Sequence, residues 1–229
     1  MSIRVGVIGS AGRMGSEVVR AVEGASDLEF VRGITAEDDL KHLLDDDGTP
    51  IIDVAVDFTL PSVTKANVLW LVQHGIHAVV GATGWDETAL EEVRTALKET
   101  PETGVLIAPN FAIGAVLAMS FARTAARFYE SAEVIELHHP DKVDAPSGTA
   151  LHTARAIAEG RRDGGLGPSP DATERDPHGA RGAEVEGIHV HAVRLRGLVA
   201  HEEILFGNAG EQLTIRHDSF DRVSFMPGV

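Results

Sequence analysis

Two imidazoles, one ammonium and a helix start fall within one short stretch, His138-His139-Pro140-Asp141-Lys142-Val143-Asp144-Ala145-Pro146-Ser147-Gly148-Thr149. Imidazole, with an ordinary pKa of about 6.5, exchanges a proton near neutral pH, and a lysine ammonium, near 10.4, carries one to donate. Ser147-Gly148-Thr149 opens the pattern Ala150, Leu151, Ala154, Ile157 and Ala158, which has the spacing of a helix. The first turn of a helix exposes unpaired N–H groups at the positive end of the dipole, a natural seat for a carboxylate. The stretch therefore reads as an acid–base pair facing an anion cradle. Any one of these residues alone is more often a solvated side chain or a plain cap. Neighbouring strand residues point to opposite faces, so His138 and His139 cannot both be core residues. No metal site is expected, since the chain has no cysteine and no His-Glu-x-x-His helix.

These groups need elements to hold them. Ala132–Leu137 reads as a strand that delivers His138 and His139 at its end, and Pro140 and Pro146 bracket a loop carrying Lys142. At the other end of the chain, the apolar run Ile3–Ile8 leads into Gly9-Ser10-Ala11-Gly12-Arg13-Met14-Gly15 and then a helical pattern closing at Gly24. Strand, glycine turn and helix in that order suit a dinucleotide. Gly9 allows the tight turn, Gly12 the approach of backbone to a pyrophosphate, and Gly15 the packing of helix on strand. Arg13 could add a cation beside the phosphates. The second strand, Leu28–Ile34, ends at Thr35-Ala36, where an acidic residue would ordinarily meet the adenosine ribose. Thr35 carries no charge, so little discrimination between NADH and NADPH is expected.

Further strands, at residues 52–58, 75–80 and 105–107, alternate with helices at 61–73 and 86–98, which implies a parallel sheet covered on both faces. Ligands bind at the carboxyl edge of such a sheet, so Gly81-Ala82-Thr83-Gly84 and Ala108-Pro109-Asn110-Phe111 are expected to line the nicotinamide end. Residues 112–129 read as a long helix, apolar on most faces and buried between domains. Gly160–Gly182 reads as a long surface loop or lid. Beyond it, alternating stretches at 188–192, 202–206 and 213–216 suggest a mixed or antiparallel sheet. The fold class is thus α/β: a Rossmann-type dinucleotide-binding domain followed by an α+β domain with a mixed sheet.

The chain of 229 residues is 43% hydrophobic and carries a net charge of −15. That balance argues against non-specific partnership with nucleic acid or an anionic membrane. No apolar run approaches the ~20 residues that span a bilayer. The absence of cysteine favours a reducing, cytoplasmic setting, and the immediate strand leaves no room for a signal peptide.

The stretch His138-His139-Pro140-Asp141-Lys142-Val143-Asp144-Ala145-Pro146-Ser147-Gly148-Thr149-Ala150 resembles the signature H-H-x-x-K-x-D-A-P-S-G-T-A of the 4-hydroxy-tetrahydrodipicolinate reductase (dihydrodipicolinate reductase) family. The glycine turn and the loops at 81–84 and 108–111 resemble that family in order and spacing. The resemblance implies NADH- or NADPH-dependent reduction of a dicarboxylate in diaminopimelate and lysine biosynthesis, by a homotetramer. It implies His138 as general acid/base and Lys142 as proton donor, with His139, Lys142, Gly148 and Thr149 binding the substrate carboxylates. Cofactor contacts would come from Gly9 to Met14, Thr35, Gly81 to Thr83, and Ala108 to Phe111. Thr35 and Ala82 depart from the family pattern. The family also implies a further helix and tail beyond Val229, returning to the cofactor domain, and hence a dinucleotide-binding domain of residues 1–111 and 219–229 with a substrate-binding and oligomerisation domain of residues 112–218. Two other readings of the fold compete: another amino-acid dehydrogenase of the aspartate or homoserine type, and a non-catalytic dinucleotide sensor. The His-His-x-x-Lys loop disfavours both, since neither needs it.

Overall fold

Six residues with four consecutive buried positions, Ile3–Ile8, form β1, and strands β2 (Leu28–Ile34), β3 (Val54–Asp57), β4 (His77–Val80) and β5 (Val105–Ile107) lie parallel to it. The computed structural model describes residues 2–229. The sheet order is β2-β1-β3-β4-β5, so the chain switches direction between β1 and β3. At that switch the ends of two adjacent strands part and leave a crevice. Helices α1 (Gly15–Gly24), α2 (Pro61–Gln73) and α3 (Glu87–Glu99) make the crossovers. Pro61 starts α2, where a missing N–H breaks no bond, and Asp86 caps α3 by accepting from the Ala89 amide at 2.8 Å. Val68, Leu71, Val72, Ile76 and Val80 are fully buried in the core of this unit, each stabilising it by about 1.5–3 kcal/mol.

The second unit is built on β6 (Ser131–His138), β7 (Ala183–Val185), β8 (Ile188–Arg194), β9 (Ala200–Asn208) and β10 (Glu211–Ser219). The order is β10-β9-β6-β8-β7; β6 and β8 run parallel and every other pair is antiparallel. This is a mixed sheet with β6 at its centre. Helices α4 (Ile113–Ala125) and α5 (Gly148–Asp163) cover one face through Ala118, Ala122, Ala150, Ala154 and Ile157. Their approach is close, because a Cβ on Gly160 would lie 2.2 Å from the Arg123 carbonyl oxygen.

Three expectations need correction. Residues 112–129 do not form one long helix buried on most faces. Helix α4 stops at Ala125, and Ile113, Val116, Leu117 and Phe121 are 46–56% exposed while only its alanine stripe is buried. Large apolar side chains on the outside draw the eye away from a buried face made of small ones. Residues 219–227 stay with the second unit, and only Gly228–Val229 join the first, which otherwise ends at Phe111. Ser224 hydroxyl to Ser219 hydroxyl at 3.1 Å, and the Phe220 ring edge-on to His201, hold that segment in place. The loop after α5 begins at Gly164 rather than Gly160. It is tied down by Arg161, which donates to the Gly167 carbonyl at 2.7 Å, and by Arg181, which donates to Glu133 and, at 3.0 Å, to Asp171.

Candidate active site

His138 is the last residue of β6, at the end of the central strand of the second sheet. Its carbonyl accepts the Leu195 amide at 3.1 Å, just past β8, so the backbone is fixed from the side. One ring nitrogen, Nδ1, is bonded to Oε2 of Glu136, a residue with no solvent exposure. Arg194, at the end of β8, donates from both terminal nitrogens to the two oxygens of Glu136, each at 2.8 Å. The Ser147 amide donates to the same carboxylate at 3.1 Å. Burial alone would push the Glu136 carboxyl up, but the His138 ring and the Arg194 guanidinium overcome it and hold it at about 2.

The chain then turns. The Lys142 amide donates to the His139 carbonyl at 3.2 Å, which fixes the tight loop after the strand. Lys142 Nζ donates to Asp144 Oδ1 at 2.6 Å, and Arg194 donates to the Asp144 carbonyl at 2.7 Å. Burial raises the Asp144 carboxyl, yet the Lys142 ammonium more than compensates and keeps it below the usual carboxylate range. Ser147 caps α5 by accepting from the Ala150 amide at 3.1 Å, leaving Gly148 and Thr149 in the first turn. His138, His139, Lys142, Gly148 and Thr149 therefore lie along one continuous strand–loop–helix segment. Glu136, Arg194 and Asp144 escaped the sequence reading. Glu136 lay inside the strand with no role assigned to it, and Arg194 reaches it across 58 positions.

Glu202 on β9 pairs in register with Glu136 and is also buried. Thr153 donates its hydroxyl to Glu202 Oε1 at 2.7 Å, and Oε2 has no partner among the described residues. Burial, with a further push from Glu136, raises this carboxyl to about 7, which the Thr153 bond only partly offsets. A carboxyl raised above its ordinary 4.5 binds its proton more tightly folded than unfolded. Its contribution to stability is full below the ordinary value and falls as pH rises towards 7, a loss of ~3 kcal/mol. Glu202→Gln is expected to raise the thermal midpoint at about pH 8 and leave it nearly unchanged at about pH 5. Equal shifts at both pH values would assign the effect to another group.

In the first unit, a cleft of about 610 Å³ opens at the switch between β1 and β3, lined by Gly9, Ala11, Gly12, Thr35, Asp38 and Thr59 among others. Gly9 has φ of +83°, and a Cβ on Gly15 would lie 2.0 Å from the Gly9 carbonyl oxygen. The turn thus keeps backbone, rather than side chains, at the cleft. Ser10 donates its hydroxyl to the Ile34 carbonyl at 3.2 Å, linking the turn to the end of β2, and Arg13 and Met14 precede α1. Buried Asp57 fixes the facing turn by accepting from the Thr59 amide at 2.8 Å and from Asn67 at 3.0 Å. Gly81, Ala82 and Thr83 follow β4, and Ala108 to Phe111 follow β5; none of them lines the cleft itself. Gly81 is needed because a Cβ there would overlap the Phe58 ring, which in turn lies 5.9 Å from Phe111. Thr35 is held by Asp38, which accepts its amide at 2.8 Å and its hydroxyl at 2.7 Å. Those bonds keep the Asp38 carboxyl below its ordinary range. Asp38 is the acidic group that the strand end itself lacks.

Comparison with known proteins places this geometry. The family model described as dihydrodipicolinate reductase, N-terminus, matches residues 3–111, and that described as dihydrodipicolinate reductase, C-terminus, matches 114–229. The 4-hydroxy-tetrahydrodipicolinate reductase of Bifidobacterium animalis subsp. lactis is 60% identical over 99% of this chain and 90% of its own length. That of Nocardia farcinica is likewise 60% identical, over 100% of this chain and 91% of its own. The structure of dipicolinate-bound dihydrodipicolinate reductase from Paenisporosarcina sp. TG-14 matches with a TM-score of 0.83 at 37% identity, covering 100% of this chain and 92% of that one. Matched through both units by sequence and by fold, the chain belongs to the dihydrodipicolinate reductase family.

Proposed function

We propose that this chain reduces 4-hydroxy-tetrahydrodipicolinate to tetrahydrodipicolinate, with loss of water, in diaminopimelate and lysine biosynthesis. The observation that carries the reading is the end of β6, where a histidine, an ammonium and a helix N-terminus share one segment in a chain 60% identical to reductases of that name. The dipicolinate bound by the Paenisporosarcina protein supports a planar dicarboxylate as the ligand class.

NADH or NADPH supplies a hydride when bound, and the glycine turn, with no room for a Cβ at Gly15, fits a pyrophosphate. His139, Lys142, Gly148 and Thr149 seat the two carboxylates, the last two through the first turn of α5. Lys142 delivers a proton to the ring carbon next to the one that accepts hydride, and His138 serves as the general acid/base for the loss of water. The remaining cofactor contacts are assigned to Gly9, Ser10, Ala11, Gly12, Arg13, Met14, Thr35, Gly81, Ala82, Thr83, Ala108, Pro109, Asn110 and Phe111. Asp38, ionised and bonded to Thr35, is unfavourable to a 2′-phosphate, so NADH is the better substrate. The protein acts in the cytoplasm as a homotetramer assembled through the second sheet. The face away from α4 and α5 carries Ile135, Leu137 and Leu205.

The test is oxidation of reduced coenzyme, followed by absorbance, with freshly generated 4-hydroxy-tetrahydrodipicolinate. Substrate-dependent oxidation with higher kcat/KM for NADH than NADPH is expected, and Asp38→Ala should narrow that gap. Coenzyme binding without substrate-dependent oxidation would sink the reading in favour of a sensor.

A further inference from the structure

We propose that Glu136 is the positioning residue of the acid–base step, setting the tautomer of His138 and, through Arg194, the place of the loop that carries Lys142. The inference rests on the reading of His138 as general acid/base.

Burial is the first consideration. A carboxylate without solvent exposure is unfavourable unless donors surround it, and an apolar residue at its position would ordinarily stabilise the sheet at least as well. Here the donors come from three places: the ring two residues along the strand, the guanidinium at the end of β8, and the amide of the α5 cap. Each of them belongs to, or adjoins, an element that carries a proposed active-site residue.

The second consideration is the proton inventory. An ionised carboxylate only accepts, so Nδ1 of His138 must be the nitrogen that carries hydrogen. In the neutral ring that leaves the lone pair on Nε2, the nitrogen not engaged by Glu136, which is then the atom that takes and returns the proton. Without Glu136 the ring is free to populate the other tautomer, with a proton where a base is needed. When the ring is protonated, the same carboxylate stabilises the imidazolium.

Arg194 extends this control to the lysine. Its fork is spread across both oxygens of Glu136, and one of the same nitrogens holds the carbonyl of Asp144, whose side chain receives the Lys142 ammonium. The path from Glu136 to Lys142 runs through direct hydrogen bonds and one residue's covalent frame, all within the second unit.

The first test needs no variant. Nitrogen-15 NMR of the histidine-labelled full chain reports tautomers directly, and the neutral His138 ring is expected in the Nδ1–H form; an Nε2–H ring would overturn the proposal. The second is a double-mutant cycle on turnover. Glu136→Gln is expected to lower kcat roughly 10- to 100-fold, the range found when the carboxylate that orients a metal-bound histidine is removed, with NADH affinity unchanged. In a His138→Ala background the same change should cost clearly less than in wild type, the remainder being the share that acts through Arg194 on the Lys142 loop. Independent, multiplying losses would overturn the positioning role and leave His138 standing. Wild-type turnover in His138→Ala alone would instead remove the reading on which the inference rests.

Discussion

Lys142→Ala is expected to lower turnover by ~10²- to 10⁴-fold, the usual range for losing a positioned proton donor. The affinity for NADH should not move, because that ligand is assigned to the other unit. The ammonium acts twice in the proposed reaction, as a carboxylate partner in the ground state and as a donor in the transition state. Both kcat and the substrate KM should therefore worsen, with the larger change in kcat. Lys142 is about one-fifth exposed and its ammonium is paired with half-exposed Asp144, so its removal leaves no deeply buried charge behind. A stability loss should be small, and a thermal midpoint near that of the parent separates the catalytic effect from misfolding. Turnover within a fewfold of wild type would take the donor role away from this residue. Steady-state kinetics and a coenzyme fluorescence titration are sufficient to decide.

Gly15→Val is expected to abolish useful coenzyme binding, by at least ~100-fold, which is about 2.7 kcal/mol. A Cβ at this position would sit 2.0 Å from the Gly9 carbonyl oxygen, 2.7 Å from its carbon and 3.0 Å from Ser10 Cα. All three are backbone atoms, so no rotamer change relieves the clash and the turn itself has to open. Gly12 is less strict: its Cβ would meet only the Gly9 oxygen, at 3.1 Å. Gly12→Ala should therefore weaken binding less than Gly15→Val. The decisive comparison is the two dissociation constants for NADH, measured on protein whose circular dichroism and thermal midpoint match those of the parent. Equal and small effects would dissociate the turn from the phosphates.

Much of the first unit was legible because its signals are local. Leu28–Ile34 and Pro61–Gln73 fall where strand composition and a proline at the helix start put them. Asp86 announces α3 in the same way, three residues before the amide it caps. The stretch from His138 to Thr149 was legible for the related reason that its chemistry lies in contiguous sequence. The partners that organise it were not. Arg194 meets Glu136 only because β6 and β8 are parallel neighbours, and nothing in either strand discloses that pairing. Helix α4 misled through composition: Ile113, Val116, Leu117 and Phe121 made it look buried, yet the alanines between them face the core. After β2, Thr35 drew attention because it stands where the ribose of a dinucleotide was expected. The carboxylate that serves it is Asp38, brought back by a turn of three residues.

The central place of β6 has a kinetic consequence for His138 and Lys142, the two residues proposed to handle protons. Its amides and carbonyls are bonded on both sides, to β8 and to β9, so no edge is available from which the strand can peel away. His138 shares in that protection, and exposing its backbone to exchange with solvent deuterium requires opening close to the whole unit. Lys142 lies four residues further on, in a turn fastened by few bonds, and can be released by a local fluctuation that leaves the sheet intact. The imidazole is thus as durable as the fold, and the ammonium is free to follow a ligand in and out.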